Sequence, residues 1–286
     1  MTREIQFTKM HGCGNNYIYV WLPDNPIADL EKAAIDWSRQ NFSIGSDGLI
    51  TIDHSIVADF KMRIFNNDGS EAKMCGNGVR CCGKFVKDKG LTDKDTVTFE
   101  TLSGIKTIRL YTNEQGEVET ARVDMGEPIQ NDIKQLRTAS GGMTEGSITQ
   151  TVDGIIRTFT GTFVSMGNPH FVIFVDDIST IELEKVGPLL EYNEIFPERC
   201  NIEFAQLLPG GDIRMRVWER GSGVTLACGT GACATSVAAT LTGRTGRTNR
   251  IQMDGGTLQI EWGSDNHIYM TGPAQTAFEG RIRIEE

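Results

Sequence analysis

An internal repeat limits the folds that this chain can adopt. Cys75, in the segment MCGNGVRC, and Cys228, in ACGTGACA, lie 153 residues apart. The same offset carries other residues onto identical ones: Gly14-Asn15 onto Gly167-Asn168, Met62-Arg63 onto Met215-Arg216, and Gly76 onto Gly229. An offset kept without a net insertion is hard to obtain by chance. We infer two copies of one unit, each of which contributes a thiol to a shared site.

Two quasi-equivalent thiols suit one kind of chemistry. Inversion of a carbon that carries an acidic hydrogen needs a base on one face and an acid on the other, and a thiolate and a thiol supply this pair. Each cysteine precedes glycines and a helix-compatible stretch, which predicts a strand–turn–helix start. A helix N-terminus favours thiolate over thiol and can hold a carboxylate. We interpret Cys75 and Cys228 as a proton-transfer pair.

Composition excludes several classes of protein. The chain has 286 residues, enough for two domains, with 39% hydrophobic and 23% charged residues, which is typical of a soluble globular protein. The net charge of −10 argues against a nucleic-acid partner, because phosphate binding needs clustered Lys and Arg. No apolar run approaches the roughly 18–20 residues of a membrane span, and the N-terminus lacks a signal-peptide pattern. We expect a cytoplasmic protein without a membrane partner.

The other cysteines do not indicate a disulfide framework or a metal site. Seven cysteines are an odd number, and their spacings lack a CxxC pair. No His follows at zinc-finger intervals, so no metal is expected. The five cysteines outside the repeat are expected to be small buried residues: Cys13, Cys81, Cys82, Cys200 and Cys233.

The hydrophobic pattern predicts strands with one or two helices in each copy. Strands are expected near 5–10, 17–22, 49–52 and 60–65, and a helix near 76–89. The second copy repeats this order, with a helix near 181–190. The polar segment 127–147 is the candidate linker or long loop. The class is therefore α+β with two pseudo-symmetric domains. We place the first repeat at 1–128, with strand 275–286 packing back on it, and the second at 129–274.

Several polar residues recur in register with the cysteines. Asn15 and Asn168 are equivalent, as are Asn66 and Glu219, each nine residues before its cysteine. Asn at a turn ordinarily serves the backbone, but this recurrence favours substrate contact. His170 is equally compatible with a hydrogen-bonded core residue and with tuning of the thiols.

No cofactor motif is present. The Gly-rich segments GCGNN, CGNGVR and CGTGAC match neither the dinucleotide-binding nor the phosphate-loop pattern. No lysine lies in a recognisable pyridoxal-phosphate context, although such lysines share no universal motif. We expect no cofactor.

Five segments together resemble the diaminopimelate epimerase family, in the family's order from Phe7 to Gly280: FTKMHGCGNNYIYV, RIFNNDGSEAKMCGNGVRC, SMGNPHFVIFV, RVWERGSGVTLACGTGACA and YMTGPAQTAFEG. The resemblance implies a cofactor-independent epimerase that interconverts LL- and meso-2,6-diaminopimelate in lysine and peptidoglycan precursor biosynthesis. It also implies two similar domains, each a curved mixed sheet or barrel around a central helix, and a homodimer.

The resemblance also implies a role for each matching residue. Cys75 and Cys228 would be the acid/base thiols, and His170 and Glu219 would modulate their pKa values. The substrate-binding set would comprise Asn15, Asn66, Gly76, Asn77, Asn168, Asn201, Glu219, Arg220, Gly229 and Thr230. In that set Gly76, Gly229 and Thr230 offer backbone N–H groups to the reacting carboxylate, and Arg220 grips the distal end.

Two positions depart from the family pattern. Asn16 stands where many relatives carry Asp, and Gly48 stands where some carry a substrate-contacting Gln. The Gly48 departure keeps a second hypothesis open, a related racemase of another amino acid such as proline or histidine. Two further alternatives are a thiol redox or metal-binding protein, disfavoured by the cysteine spacing, and a non-catalytic paralogue, disfavoured because both cysteines and every flanking motif are present.

Overall fold

The computed structural model describes residues 2–285, and the predicted α+β class is confirmed. These residues form two compact units. The described part of unit 1 comprises 2–124 and 271–285, and unit 2 comprises Met125–Met270. The two domain boundaries predicted from the sequence lie after residues 128 and 274, a few residues further along the chain than the divisions after 124 and 270, and those boundaries stay predictions. Residues 1 and 286 lie outside the described residues. No helix within 2–285 is long and apolar enough to cross a membrane.

Unit 1 is a mixed sheet with two helices. Its elements are β1 (Thr2–Gly12), β2 (Asn15–Trp21), α1 (Leu30–Ser38), β3 (Gly48–Asp53), β4 (Phe60–Asn66), β5 (Glu71–Ala72), α2 (Gly76–Asp88), β6 (Thr96–Thr101), β7 (Gly104–Thr112) and β8 (Val118–Asp124). The pairs β2–β3 and β4–β6 are parallel, whereas β1–β2, β3–β4, β6–β7 and β7–β8 are antiparallel. Helix α2 contacts β1 and β2 as well as β7 and β8. Because it touches strands far apart in the pairing order, the sheet curves around it.

Unit 2 repeats this plan. Its elements are β9 (Gly146–Val152), β10 (Ile155–Ser165), β11 (Pro169–Phe174), a short 3-10 helix (Ile178–Thr180), α3 (Leu183–Glu191), β12 (Asn201–Leu207), β13 (Ile213–Glu219), β14 (Gly223–Thr225), α4 (Gly229–Leu241), β15 (Thr248–Met253) and β16 (Gly256–Trp262). Helix α4 contacts β10, β11, β12, β13, β15 and β16, so this sheet also curves around one helix.

The chain returns to unit 1 through β17 (Ile268–Pro273), and its last strand is β18 (Gln275–Glu285). β18 pairs antiparallel with β1 along most of its length. Unit 1 is therefore built from both ends of the chain.

The offset of the sequence repeat is also the offset of the strand register. In unit 1 the pairs are Ile18↔Leu49, Leu49↔Phe65 and Ile64↔Ala72. In unit 2 they are Phe171↔Ile202, Ile202↔Trp218 and Val217↔Thr225, each 153 residues on. Helices α2 and α4 begin at Gly76 and Gly229, with the same offset and the same length of 13 residues. The two units are thus copies at the level of hydrogen bonding.

The segment 127–147 is not a free linker. It is largely without regular structure, as expected for a loop, but Leu136 within it is fully buried in the core of unit 2. Ile129 forms a bridge with Ser165 at the end of β10. This loop is held by unit 2 because it contributes apolar side chains to that core, which a search for polar, Gly-rich stretches does not detect.

Candidate active site

Cys75 is the N-cap residue of α2. Its backbone is extended, and the N–H of Gly78 donates to Sγ at 3.3 Å. A Cβ on Gly78 would lie 2.7 Å from Cδ1 of Ile50, so a larger residue in this first turn would require the Ile50 side chain to move. A thiol at an N-cap lies at the positive end of the helix dipole, where the thiolate is favoured.

Cys228 occupies the same position on α4. The N–H of Gly231 donates to Sγ of Cys228 at 3.4 Å. A Cβ on Gly231 would lie 2.7 Å from Oε1 of Glu203. The first turn of α4 is thus as closely packed as that of α2, but its neighbour is the carboxyl group of Glu203 rather than the side chain of Ile50.

Asn15 and Asp47 determine what faces Cys75. The Cys75 thiol donates to Oδ1 of Asn15 at 3.3 Å, and Nδ2 of Asn15 donates to Asp47 at 3.0 Å. The same Asp47 oxygen accepts from the backbone N–H of Asn16 at 2.7 Å. Because Asp47 engages the donor end of the Asn15 amide, the acceptor end is directed at the thiol.

Asn77 is fixed by a buried arginine. Arg80 is fully buried, and its Nη2 donates to Oδ1 of Asn77 at 3.0 Å. The same side chain donates to the carbonyl groups of Gly76 and Pro273. Arg80 therefore leaves the Nδ2 donor of Asn77 for another partner and ties the first turn of α2 to the returning segment of unit 1.

Asn66 lies at the end of β4, opposite Gly48 in the register. Its Nδ2 donates to Oγ of Ser70 at 3.0 Å. A Cβ on Gly48 would lie 2.1 Å from the carbonyl oxygen of Phe65, so the strands approach more closely than a Gln at this position allows. The close approach of the backbone of β4 thus favours glycine, rather than the Gln of some relatives, at position 48.

A buried chain of polar groups leads to Cys228 in unit 2. His170 and Glu203 are both fully buried, with Nδ1 of the histidine 2.7 Å from Oε1 of the glutamate. Nε2 of His170 lies 3.1 Å from Oδ1 of Asn168. Nδ2 of Asn168 donates to Oγ1 of Thr230 at 3.4 Å, and that oxygen lies 3.5 Å from Sγ of Cys228.

Glu219 and Cys228 influence each other's charge. Burial raises the pKa of the Glu219 carboxyl group, although hydrogen bonds from Thr225 and Cys228 lower it. Burial also raises the pKa of the Cys228 thiol well above its usual range, and the carboxyl groups of Glu219 and Glu203 raise it further. Hydrogen bonds from Thr230 and Gly231 act in the opposite direction. Cys228 is therefore a thiol whose protonation depends on its neighbours.

Asn201 and Arg220 are linked through the backbone. Oδ1 of Asn201 accepts from the backbone N–H of Arg220 at 2.9 Å, and its Nδ2 donates to the carbonyl of Pro169 at 2.8 Å. Nη1 of Arg220 donates to the carbonyl of Glu198 at 2.8 Å. Asn201 thus shapes the loop that carries Arg220.

The structure groups the sequence-predicted residues within each unit. In unit 1, Asn15 contacts Cys75, whereas Gly76 and Asn77 form the helix turn that follows it. In unit 2 the group comprises Asn168, His170, Glu219, Gly229 and Thr230 around Cys228, with Asn201 and Arg220 on the adjoining loop. All seven cysteines are free thiols. Within residues 2–285 no cluster of three or more His, Cys, Asp or Glu side chains could hold a metal ion.

Sequence reasoning missed three residues that hold these groups in place: Asp47, Arg80 and Glu203. A signal existed for Glu203, since it is a single acidic residue inside the apolar strand NIEFAQLL. A charged residue at a buried strand position needs a partner. Asp47 lies in the polar turn before β3, where no pattern distinguishes it, and Arg80 is a single charged residue between Val79 and Cys81 in a buried part of α2.

Comparison with solved structures defines the class of fold. A phenazine biosynthesis protein of the PhzF family from Bacillus anthracis aligns with a TM-score of 0.71 at 18% identity, covering 98% of this chain and 99% of that chain. A hydroxyproline epimerase from Agrobacterium vitis aligns with a TM-score of 0.68 at 14% identity, covering 99% and 94%. At such identities the likeness shows the fold alone, the α+β fold that this chain forms with its two units.

Sequence comparison goes further. The family model described as diaminopimelate epimerase matches residues 7–130 and 162–277. The diaminopimelate epimerase of Phocaeicola vulgatus is 54% identical over 285 residues, covering 99% of this chain and 100% of that protein. The chain belongs to the diaminopimelate epimerase family.

Proposed function

We propose that this chain is an isomerase that interconverts LL- and meso-2,6-diaminopimelate in lysine and peptidoglycan precursor biosynthesis. One observation carries the proposal: two cysteines cap equivalent helices of a repeated unit, in a chain that belongs to this family. The product differs from the substrate only in the configuration of one α-carbon. The reaction therefore consists of removing one proton and returning one from the opposite side.

In this mechanism the two cysteines hold one proton between them. The thiolate takes the α-proton, the electrons of the C–H bond pass toward the carboxylate, and the thiol delivers its own proton to the other face. Each turnover leaves the protonation states of Cys75 and Cys228 exchanged, and the reverse reaction restores them. Positive helix ends are suited to stabilise the charge that develops on the carboxylate.

The backbone N–H groups of the first helical turns are the proposed carboxylate donors: Gly76, Asn77, Gly229 and Thr230. Helix N-termini bind anions because these N–H groups have no partner within the helix. Asn15, Asn66 and Asn168 would bind substrate, with Glu219 contributing a contact as well as tuning Cys228, and His170 tuning the same thiol. Arg220 would bind the distal end, and Asn201 would act there through the Arg220 backbone.

The test is to incubate the reduced protein with LL-diaminopimelate in heavy water and follow the α-protons by NMR together with stereochemistry. We expect loss of one α-proton signal with formation of the meso isomer. A folded protein that exchanges no proton of diaminopimelate, but racemises proline or another amino acid from a panel, would overturn the choice of substrate. A protein that acts on none of them would overturn the isomerase assignment.

Two further features belong to this proposal. The family resemblance supports a homodimer, and a cytoplasmic location fits a biosynthetic enzyme of this kind. Light scattering coupled to size exclusion tests the first, because a homodimer has twice the 31.5 kDa mass of the chain. A monomer at micromolar concentration would contradict it.

A further inference from the structure

The two copies of the unit differ at one buried position next to the thiol. Ile50 in unit 1 and Glu203 in unit 2 are related by the repeat offset, and each lies against the third residue of its cysteine-capped helix. A second position, on the strand that adjoins each of them, also differs in kind: Tyr17 on β2 is the counterpart of His170 on β11. Unit 2 has therefore replaced an apolar support with an acid and a histidine, at the cost of burying two titratable groups.

The hydrogen bonds of His170 define where its protons lie. The carbonyl oxygen of Asn168 only accepts, so Nε2 of His170 carries a proton. The 2.7 Å contact between Nδ1 and Glu203 holds one further proton. The glutamate is fully buried, and its second oxygen, Oε2, has no hydrogen-bond partner among residues 2–285. His170 is therefore the one hydrogen-bond partner of the Glu203 carboxyl group among residues 2–285.

If Nε2 of His170 is a donor, the donor and acceptor of each following hydrogen bond, from Asn168 through Thr230 to Cys228, are fixed. Asn168 accepts at Oδ1 and donates from Nδ2 to Thr230. Since Thr230 accepts from Asn168, its own hydroxyl hydrogen is left to point at Sγ of Cys228, 3.5 Å away. A donor at the sulfur stabilises the thiolate. If the ring proton moved to Nδ1 alone, the Asn168 amide would turn over and the chain would stabilise the thiol instead.

We propose that Glu203 is a positioning residue for proton transfer at Cys228: it keeps the His170 ring proton on Nε2 and thereby directs the hydroxyl donor of Thr230 at the sulfur. Glu203 touches neither the substrate nor the reacting carbon in this assignment. The acidic groups that act on Cys228 are Glu219 on β13 and Glu203 on β12, and His170 on β11 acts on Glu219. The inference rests on the proposed function only where turnover is measured.

Two variants separate the effect of Glu203 on the position of the His170 ring proton from the effect of its charge. Glu203→Ile installs the residue of the other copy and removes the partner of Nδ1. Glu203→Gln keeps a partner, because its amide can donate to Nδ1 and leave the proton on Nε2. Phe204→Leu, at the next residue of the same strand, is the control for general loss of packing, since Phe204 is fully buried but makes no bond to His170.

The first readout is the ¹⁵N spectrum of the His170 ring at pH 7. We expect an Nε2–H signal in the wild type, in Glu203→Gln and in Phe204→Leu, and a mixture of ring tautomers in Glu203→Ile. The second readout is turnover, for which we expect kcat of Glu203→Ile to fall roughly tenfold to a hundredfold with little change in KM, whereas Glu203→Gln recovers most of it.

The proposal is overturned if the wild-type ring carries its proton on Nδ1 alone, or if Glu203→Ile is folded and retains both the Nε2–H signal and the wild-type kcat. It is also overturned if Glu203→Gln loses as much turnover as Glu203→Ile. A protein inactive on diaminopimelate but with the expected ring signals in all variants would reject the proposed function and leave the positioning of the His170 proton standing.

Discussion

Cys75 and Cys228 are the N-caps of two equivalent 13-residue helices, and the sulfur of each accepts a backbone hydrogen bond from the residue three positions on. Ser, Thr, Asp and Asn ordinarily fill this position, because their oxygen atoms satisfy a free N–H of the first turn. A cysteine in the same place gains a donor that favours its thiolate. One bond thus serves both the end of the helix and the reactivity of the thiol.

Replacement of either cysteine by alanine tests the pairing of the two thiols. In Cys75→Ala and in Cys228→Ala we expect epimerisation to fall by about a hundredfold or more, because one face of the carbon then lacks its acid or base. Loss of the cap should cost only about 1 kcal/mol of stability. The measurement is kcat with LL- and with meso-diaminopimelate, alongside urea unfolding.

The matched control for these substitutions is Cys82→Ala, a buried thiol within α2. We expect it to lower stability while leaving kcat close to that of the wild type. Near-wild-type turnover in either Cys75→Ala or Cys228→Ala would reject a mechanism with two thiols.

Glu219→Gln tests the charge at Cys228. A carboxylate beside a thiol disfavours the thiolate, so the charge of Glu219 raises the pKa of Cys228. We expect the substitution to lower this pKa and leave the chemical shift of Cys75 unchanged. The ¹³Cβ signal of labelled cysteine, followed against pH and assigned with Cys228→Ser, measures both. A Cys228 signal that titrates at the wild-type pH or higher would contradict the role given to Glu219.

Buried thiols make the fold sensitive to alkali. Burial raises the pKa of Cys81 to about 11 and that of Cys82 and Cys200 well above the usual range. Unfolded thiols titrate near 8.5, so above that pH the folded state holds more protons than the unfolded one. Stability contributed by Cys81 is therefore complete below about pH 8.5 and is lost as the pH rises toward 11.

The measurement is the free energy of unfolding in urea at pH 8 and pH 10 under reducing conditions. Each such thiol should contribute a decrease of about 1.4 kcal/mol per pH unit within its window. Cys81→Ala removes one contribution, so the difference between the two pH values should become smaller. An unchanged difference would show that Cys81 titrates alike in both states.

The repeat and its two cysteine-capped helices follow from the sequence because strand register preserves residue spacing. Pairs such as Ile18↔Leu49 and Phe171↔Ile202 keep the offset that the cysteines display. The residues that orient the site side chains through hydrogen bonds cannot be predicted from the sequence in this way. Asp47 is 32 residues from Asn15, and Glu203 is 33 residues from His170. Such contacts depend on which strands are neighbours, and no local pattern in one sequence records that.

Gly48 shows why a family substitution cannot always be judged by side-chain chemistry alone. A Cβ at this position would lie 2.1 Å from the carbonyl oxygen of Phe65 and 3.0 Å from Cα of Asn66, both on β4. Gly48→Ala should therefore force β3 and β4 apart. We expect a loss of about 1–3 kcal/mol of stability, and a higher KM because Asn66 is displaced.

Gly48→Gln, which restores the residue found in some relatives, should be no better than Gly48→Ala, because its Cβ meets the same backbone oxygen. Gly246→Ala is the control, since a Cβ there would enter open space, and its effect should stay within about 0.5 kcal/mol. Urea unfolding and KM for LL-diaminopimelate decide the matter. If Gly48→Gln is as stable as the wild type and lowers KM, the close approach of β4 does not determine which residue position 48 can hold. The glycine would then only remove a substrate contact that a Gln makes.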